Sequence, residues 1–364
     1  MRASASSTRK HDEPLRVLAW PARRKRAENP YTYLVQLHTA SHGVETHELT
    51  PLRMLRPGWD IIHIHWPEVL LTKPSFILQV LAGSSLLAML FLQRLFTRAR
   101  LVWTVHNAEA HEVHHARWGS LYMRLFVRLV DGIVLLTDAS REEIIDRYPT
   151  LGTLPYTVAR LGHYRHLDTG EVDRPAARTA LGIGDRDFAF LYFGQIRPYK
   201  NVPGLVSCFR QLDGDHYRLI IAGSAIDAAL AAELVRAVQD DTRITLDMRF
   251  VPEERLIEYV VAADCVVLPF SQVLNSGSAL FALSFATPVL TIATPSFSEL
   301  AELVGGNWLR TFEGDLTREI LADAARRQAP AEVPDLTEFE WDTVGRNTAN
   351  FFHRLATRTG GYGG

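Results

Sequence analysis

The chain has 364 residues, enough for two domains with a core in each, and its 47% hydrophobic and 22% charged content is ordinary for a globular protein. A formal net charge of -2 lacks the basic excess that a nucleic-acid partner demands, so no nucleic acid is expected. Its two cysteines, Cys208 and Cys265, supply neither a disulfide framework nor a cysteine metal site; both lie in apolar stretches, read as buried and inert, and suit a cytosolic chain.

The opening MRASASSTRKHDEP has no apolar segment and reads as a tail rather than a secretory signal, as does the closing TGGYGG. LRVLAW (15–20) is the first expected strand. After it, Arg23 to Arg26 form a run of four basic residues, and Asn29-Pro30-Tyr31 start a helix. The basic run suits a solvated loop or, beside an apolar segment, a grip on a lipid pyrophosphate or anionic headgroups.

DIIHIHWPE (60–68) is an apolar strand that ends in polar chemistry. His65, Trp66 and Glu68 form its mouth, while His63 is expected on the opposite face as a packed core histidine. The stretch 75–93, SFILQVLAGSSLLAMLFLQ, carries no charge, nearly reaches bilayer-spanning length and is followed by Arg94, Arg98 and Arg100. The first reading is a helix buried in a domain; a helix dipping into a membrane surface and a true span are the others. RLVWTVHN (100–107) is a second strand with a polar end, continuing through His106, Asn107, Glu109, His111 and Glu112. GIVLLT (132–137) and YTVARLG (156–162) complete the strands of the first half.

The polar stretch 166–179, HLDTGEVDRPAART, is the expected boundary between domains spanning 14–165 and 166–338. FAFLYFG, YRLIIAG, ITLDMRFV, CVVLPF and PVLTIA are the strands of the second half. Near-continuous apolar strands alternating with helical stretches imply an α/β protein of two Rossmann-like, doubly wound parallel domains. Ligands in such sheets sit at the carboxyl ends of strands, so a cleft between facing domains is the expected active site.

Two motifs in the second half suit phosphate. In FLYFGQIRPYKN, Gly194 permits a sharp bend, and Arg197 and Lys200 then project two cations suited to a diphosphate; a solvated basic turn is the plainer reading. Asn275, Ser276, Gly277 and Ser278 precede an apolar helix, giving a helix N-terminus able to receive a phosphate or simply an N-cap.

Taken in order, FGQIRPYKN, YRLIIAG, LIEYVVAADCVVLPF and SGSALFALSFATPV resemble the GT-B glycosyltransferases, and the resemblance extends over most of the chain. It implies that the C-terminal domain holds a nucleotide sugar and the N-terminal domain an acceptor. Carried over, Arg197 and Lys200 bind the donor diphosphate, Ser276 to Ser278 close on the phosphates, Glu299 faces the nucleoside, and His163 in LGHYRHL is a donor contact or a hinge residue. The final stretch, 339–358, would be a helix packing back on the first domain. Many retaining members place two glutamates around this segment where this chain has Val273 and Phe281, which favours inversion. The wording NSGSALFALSF is similar to that of bacterial exopolysaccharide transferases of the xanthan-assembly type, which include inverting β-mannosyltransferases.

In the first half the resemblance makes Asn29, Tyr31, His65, Trp66 and Asn107 acceptor contacts. Inversion needs a general base, for which Glu112 ranks ahead of His111, then Glu68 and His106. No metal is expected: HNAEAHEVHH lacks HExxH spacing, and DRD (185–187) and DGD (213–215) read as turns before strands. No cofactor is implied beyond a GDP- or UDP-linked sugar as co-substrate. The expected function is transfer, with GDP-mannose favoured, to a glycan or lipid-linked saccharide in polysaccharide or glycolipid assembly, peripheral to the inner face of the cell membrane through 75–93 and Arg23 to Arg26. UDP-glucose or UDP-glucuronate transfer, a nucleotide-sugar epimerase on the same plan and a non-catalytic sugar-binding relative are the alternatives. No G-x-G-x-x-G follows a strand, which disfavours a dehydrogenase.

Overall fold

The structure, a computed structural model, describes residues 13–22, 30–73, 75–107, 115–167, 172–270, 276–305 and 307–357. Among these, β1 (Leu15–Trp20), β2 (Val44–Glu48), β3 (Ile61–Ile64), β4 (Arg100–Val105), β5 (Gly132–Leu135) and β6 (Tyr156–Val158) form one sheet, ordered β2-β1-β3-β4-β5-β6. The second sheet contains β7 (Phe188–Phe193), β8 (Tyr217–Ala222), β9 (Ile244–Asp247), β10 (Cys265–Leu268), β11 (Val289–Ile292) and β12 (Leu309–Phe312), ordered β12-β11-β10-β7-β8-β9. Every strand pair in both sheets is parallel.

Central strands are buried on both faces, which is why they read as unbroken apolar runs: IIHI in β3, GIVL in β5 and CVVL in β10 have no exposed residue. The two strands that the apolar runs do not announce, β2 and β12, are sheet edges. In VETHE only Val44 is fully buried, so an edge strand can form with no apolar run at all. Strand order reverses between β1 and β3 in the first sheet and between β7 and β10 in the second. A parallel sheet opens a crevice at such a reversal, beyond the carboxyl ends of the strands.

The chain divides into two compact units, Met1–Gly162 with Phe339–Gly364, and His163–Glu338. The change falls just before the polar stretch 166–179, because His163 to Arg165 are already fastened to the second unit. There the Tyr164 N–H donates to Ser284 Oγ at 2.9 Å, and Arg165 donates to the Pro334 carbonyl at 2.8 Å. The helix Trp341–Thr357 packs along the helix Tyr31–Ala40 of the first unit. Gly345 permits this, since a Cβ there would lie 2.6 Å from that of His38. Phe351 and Phe352 then fill the core between helix and sheet with Val17, Val102 and Leu355.

The helix Phe76–Phe96 corrects the first sequence reading. It is not buried in a domain: only Gln79, Gly83, Leu86, Leu90 and Gln93, one stripe of it, are covered, and Ile77, Leu81, Leu92 and Leu95 face outward. The helix connects adjacent strands β3 and β4 and therefore lies on the outer layer of its sheet, with nothing beyond it among the described residues. Cys265 is buried, as read, whereas Cys208 is only half-buried, its thiol donating to the Leu316 carbonyl at 2.9 Å.

Candidate functional site

In the first unit, three segments meet at the strand-order reversal: the start of the helix Tyr31–Ala40, the end of β3 and the end of β4. β3 runs on past Ile64 because the His65 N–H still donates to the Trp20 carbonyl at 3.0 Å. His63 and His65 are two residues apart and share one face, as strand periodicity requires, with ring centroids 4.2 Å apart. The expectation that His63 turns to the opposite face is therefore wrong, although it is a buried histidine, hydrogen-bonded through Nε2 to Thr104 Oγ1 at 2.7 Å.

His65 Nδ1 lies 3.1 Å from His106 Nε2, the edge of Tyr31 meets both rings, and Trp66 stacks on His106 at 4.2 Å. Burial pulls His63 and His106 down to about 3 and His65 well below the usual histidine range. The cluster is thus neutral at pH 7, and His106 is a weak proton acceptor. His65 is 1% exposed, and its Nε2 has no hydrogen-bond partner among the described residues. The half-exposed face of Trp66 can meet a sugar ring, whereas the His65 nitrogen is sealed beneath it.

Glu68 opens the short helix Pro67–Thr72 that follows β3. Burial pushes its carboxyl up to about 7, against the hydrogen bonds that oppose the shift, among them the Asn107 Nδ2 donor at 3.5 Å. The Tyr122 hydroxyl fixes the turn from below by donating to the Pro67 carbonyl at 3.2 Å. A carboxyl that titrates near neutrality is matched to taking and giving a proton at physiological pH. Asn29, His111 and Glu112, together with the basic run Arg23 to Arg26, lie outside the described residues.

In the second unit, the reversal lies between β7 and β10, and the two phosphate motifs converge there. β7 ends at Gly194, whose φ of 108° is open to glycine, and the loop after β8 passes directly against it: a side chain on Gly223 (φ 146°) would collide with the Gly194 carbonyl. Lys200 Nζ and Ser278 Oγ each lie 3.5 Å from the point where a Gly194 Cβ would stand. One lysine, one hydroxyl and a bare stretch of backbone therefore line one small space. Burial, with Arg197 nearby, lowers Lys200 to about 8, and its ammonium sits 5.2 Å from the Phe270 ring.

Arg197 donates from Nε and Nη2 to Gln195 Oε1 at 3.0 and 2.9 Å, which orients the guanidinium along the turn. The Ser276 hydroxyl accepts from the Ala279 N–H at 3.2 Å and so acts as an N-cap; the remaining first-turn N–H groups of the helix Gly277–Ser284 point past it. Such a set of donors can hold a diphosphate. Asn275 and Val273 lie outside the described residues.

Phe281 packs against Tyr164, Phe193 and Phe285 at 5.1, 5.6 and 5.0 Å, in an aromatic cluster. His163 is buried and accepts from the Arg165 N–H through Nδ1 at 3.2 Å. Glu299 is half-buried on the helix Pro295–Val304 that follows β11, a strand separated by β10 from the β7 that leads into the Lys200 turn. Sequence reasoning passed over Gly223, Gln195 and Phe270. The signal for Gly223 was present, since YRLIIAG ends as FLYFG does.

Two doubly wound units, one with a cationic cradle at its switch point, define a nucleotide-sugar transferase fold of the GT-B type. The model of the family "Glycosyl transferases group 1" matches residues 173–308. A GDP-mannose:glycolipid 4-beta-D-mannosyltransferase of Xanthomonas campestris pv. campestris is 32% identical over 324 residues, which is 87% of this chain and 86% of that protein. In fold, the chain is similar to a glycosyltransferase from Rickettsia africae (TM-score 0.64, 10% identity, 96% of this chain and 100% of that one) and to sucrose-phosphate synthase from Thermosynechococcus elongatus (TM-score 0.62, 16% identity, 94% and 95%). The chain belongs to the group 1 glycosyltransferases and is an enzyme of that class.

Proposed function

We propose that this glycosyltransferase moves mannose from GDP-mannose to a lipid-linked saccharide with inversion at the anomeric carbon, working at a membrane surface during glycolipid or polysaccharide assembly. The observation that carries this reading is the similarity to the Xanthomonas mannosyltransferase, which runs through both units and not the nucleotide-binding one alone. The aromatic packing of Phe281 supports inversion, since the chain lacks at that place the glutamate of retaining members.

In the proposed reaction, the acceptor hydroxyl attacks the anomeric carbon as the bond to the diphosphate breaks. Its proton passes to Glu68, and GDP departs with the bonding pair. Lys200, Arg197 and the first N–H groups of the helix Gly277–Ser284 stabilise the charge that builds on the leaving diphosphate, without a metal ion. Trp66 and Asn107 receive the acceptor saccharide, with the buried rings of Tyr31 and His65 packed behind them. Glu68 takes the base role because, among the described candidates, it combines burial with a carboxyl titrating near 7.

Calorimetric titration of the purified protein with GDP, UDP, ADP and dTDP tests the donor assignment. Selective binding of GDP is expected. Selective binding of UDP would overturn the mannose assignment in favour of a glucose or glucuronate donor, and binding of none would overturn the cradle.

A further inference from the structure

The rings packed on Phe281 are those of Phe193, Phe285 and Tyr164, so a single tyrosine joins what is otherwise a cluster of phenylalanines among the described residues. Packing alone would be met by another phenylalanine, and the hydroxyl therefore needs its own account. Its position follows from the periodicity of the helix Gly277–Ser284, which sets residues 277, 281 and 284 on one face. The Tyr164 N–H donates to Ser284 Oγ at 2.9 Å, and the ring meets that of Phe281 at 5.1 Å. The hydroxyl oxygen then lies 3.4 Å from the point where a Gly277 Cβ would stand. The side chain thus runs along the helix from its last residue to its first. Its base is fixed, since the Ser284 hydroxyl donates to the Leu280 carbonyl at 2.7 Å and Arg165 to the Pro334 carbonyl at 2.8 Å.

At the first turn the hydroxyl meets open backbone. With glycine at 277, no side chain of that residue stands between it and the Gly277 and Ser278 N–H groups, neither of which has an acceptor among the described residues. The hydroxyl has no hydrogen-bond partner among the described residues either, and Tyr164 is half-buried rather than sealed. Burial, with the Glu253 carboxyl adding to it, pushes its ionisation up to about 12, so at neutral pH it remains a donor. Ser278 is the next residue, and its Oγ shares the space before Gly194 with Lys200 Nζ. An anion seated on these two N–H groups is therefore flanked by a lysine at one residue and a neutral, already oriented O–H at the other.

We propose that Tyr164 is a further donor-binding residue, its hydroxyl donating to an oxygen of the sugar nucleotide's diphosphate at the start of the helix Gly277–Ser284. The assignment rests on the reading of this cradle as the diphosphate site, and on neither the base nor the sugar. The hydroxyl adds a hydrogen bond where charge builds on the leaving group without adding a second desolvated cation beside Lys200. Gly277 belongs to the same device, because its missing side chain leaves the hydroxyl a clear approach to the helix start.

Titration calorimetry of the full chain with inorganic pyrophosphate, GDP and UDP tests this. Tyr164→Phe keeps the ring and removes only the hydroxyl, so the ligand-free melting temperature should stay at the wild-type value. Its affinity for pyrophosphate and for the preferred nucleoside diphosphate is expected to fall by the same factor, about tenfold, as loss of one hydrogen bond to a charged group should. Gly277→Ala, which leaves the tyrosine in place and sets a methyl group beneath its hydroxyl, is expected to weaken pyrophosphate as well. Wild-type pyrophosphate affinity in Tyr164→Phe would overturn the proposal. Weakened nucleotide binding with unchanged pyrophosphate binding would also overturn it, by moving the hydroxyl to the nucleoside. Should Tyr164→Phe melt early, Gly277→Ala decides, and wild-type pyrophosphate affinity there counts against the contact. A preference for UDP, with the tenfold loss on pyrophosphate intact, would sink the mannose donor and leave Tyr164 standing. No binding of pyrophosphate or nucleotide by the wild-type protein would remove the cradle and the proposal together.

Discussion

Glu68 and Lys200 show how burial alone prepares two residues for opposite tasks. Desolvation raises the carboxyl to about 7 and lowers the ammonium to about 8, so both stand near their useful protonation states at neutral pH. The ionised carboxylate is the active form of a base, so turnover is expected to rise with pH through about 7, and Glu68→Gln should remove that limb and lower kcat by about 10²–10³. A pH–rate profile of both enzymes checks this, alongside Glu112→Gln: an unchanged profile in the first and loss of turnover in the second would move the base to Glu112. Lys200→Ala is expected to weaken GDP binding by about 10²-fold, as loss of a charge-assisted contact should. In the wild-type enzyme the affinity should decline above pH 8, where the ammonium deprotonates. Titration calorimetry across pH reads both effects. These two residues stood in the sequence as candidates among several of their kind. What distinguished them was their burial, which spacing along a chain does not display.

At the level of elements, the apolar runs were legible because central parallel strands are buried on both faces. Edges were not: VETHE in β2 has no run to read, and LRTF in β12 buries only its first and last residues. The helix Phe76–Phe96 was legible as a helix but not as an exposed one, since composition alone cannot say which side of a sheet's outer layer a residue takes. The face of His63 was misjudged against the period-two rule itself. Packing of turn against turn was also invisible. Gly194 reads as a bend, yet its carbonyl is covered by the Gly223 backbone from a different βα loop. Gly223→Ala is therefore expected to push the two loops apart, destabilising the second unit by a few kcal/mol and weakening GDP binding at least tenfold. Thermal melting with and without GDP measures both, and a variant with wild-type melting and affinity would show that the loops yield without consequence.

For the whole molecule, the histidine cluster sets the acid limit of stability. His63 and His106 ionise near 6.5 when unfolded and near 3 when folded, so the unfolded chain binds more protons between those values, and stability falls as pH falls through that window. Glu68 acts in the opposite sense, raised from 4.5 to about 7 and losing stability as pH rises through that range. The histidines have the larger combined shift, so acidification from pH 6.5 toward 4 should lower the melting temperature, with a loss on the order of several kcal/mol. Scanning calorimetry at stepped pH gives the curve, and a melting temperature flat over that interval would mean that the cluster is not neutral and buried.

The proposed reaction transfers mannose from GDP-mannose to a lipid-linked acceptor with inversion. Its most direct measurement is incubation of the enzyme and bacterial membrane lipids with GDP-mannose carrying ¹³C at the anomeric carbon, followed by organic extraction and NMR of the lipid fraction. A β-linked mannose signal is expected in the lipid phase, appearing in step with GDP release and absent with Lys200→Ala. An α-linked product would contradict inversion, and label that stays in the aqueous phase as GDP-mannose would contradict the transfer itself.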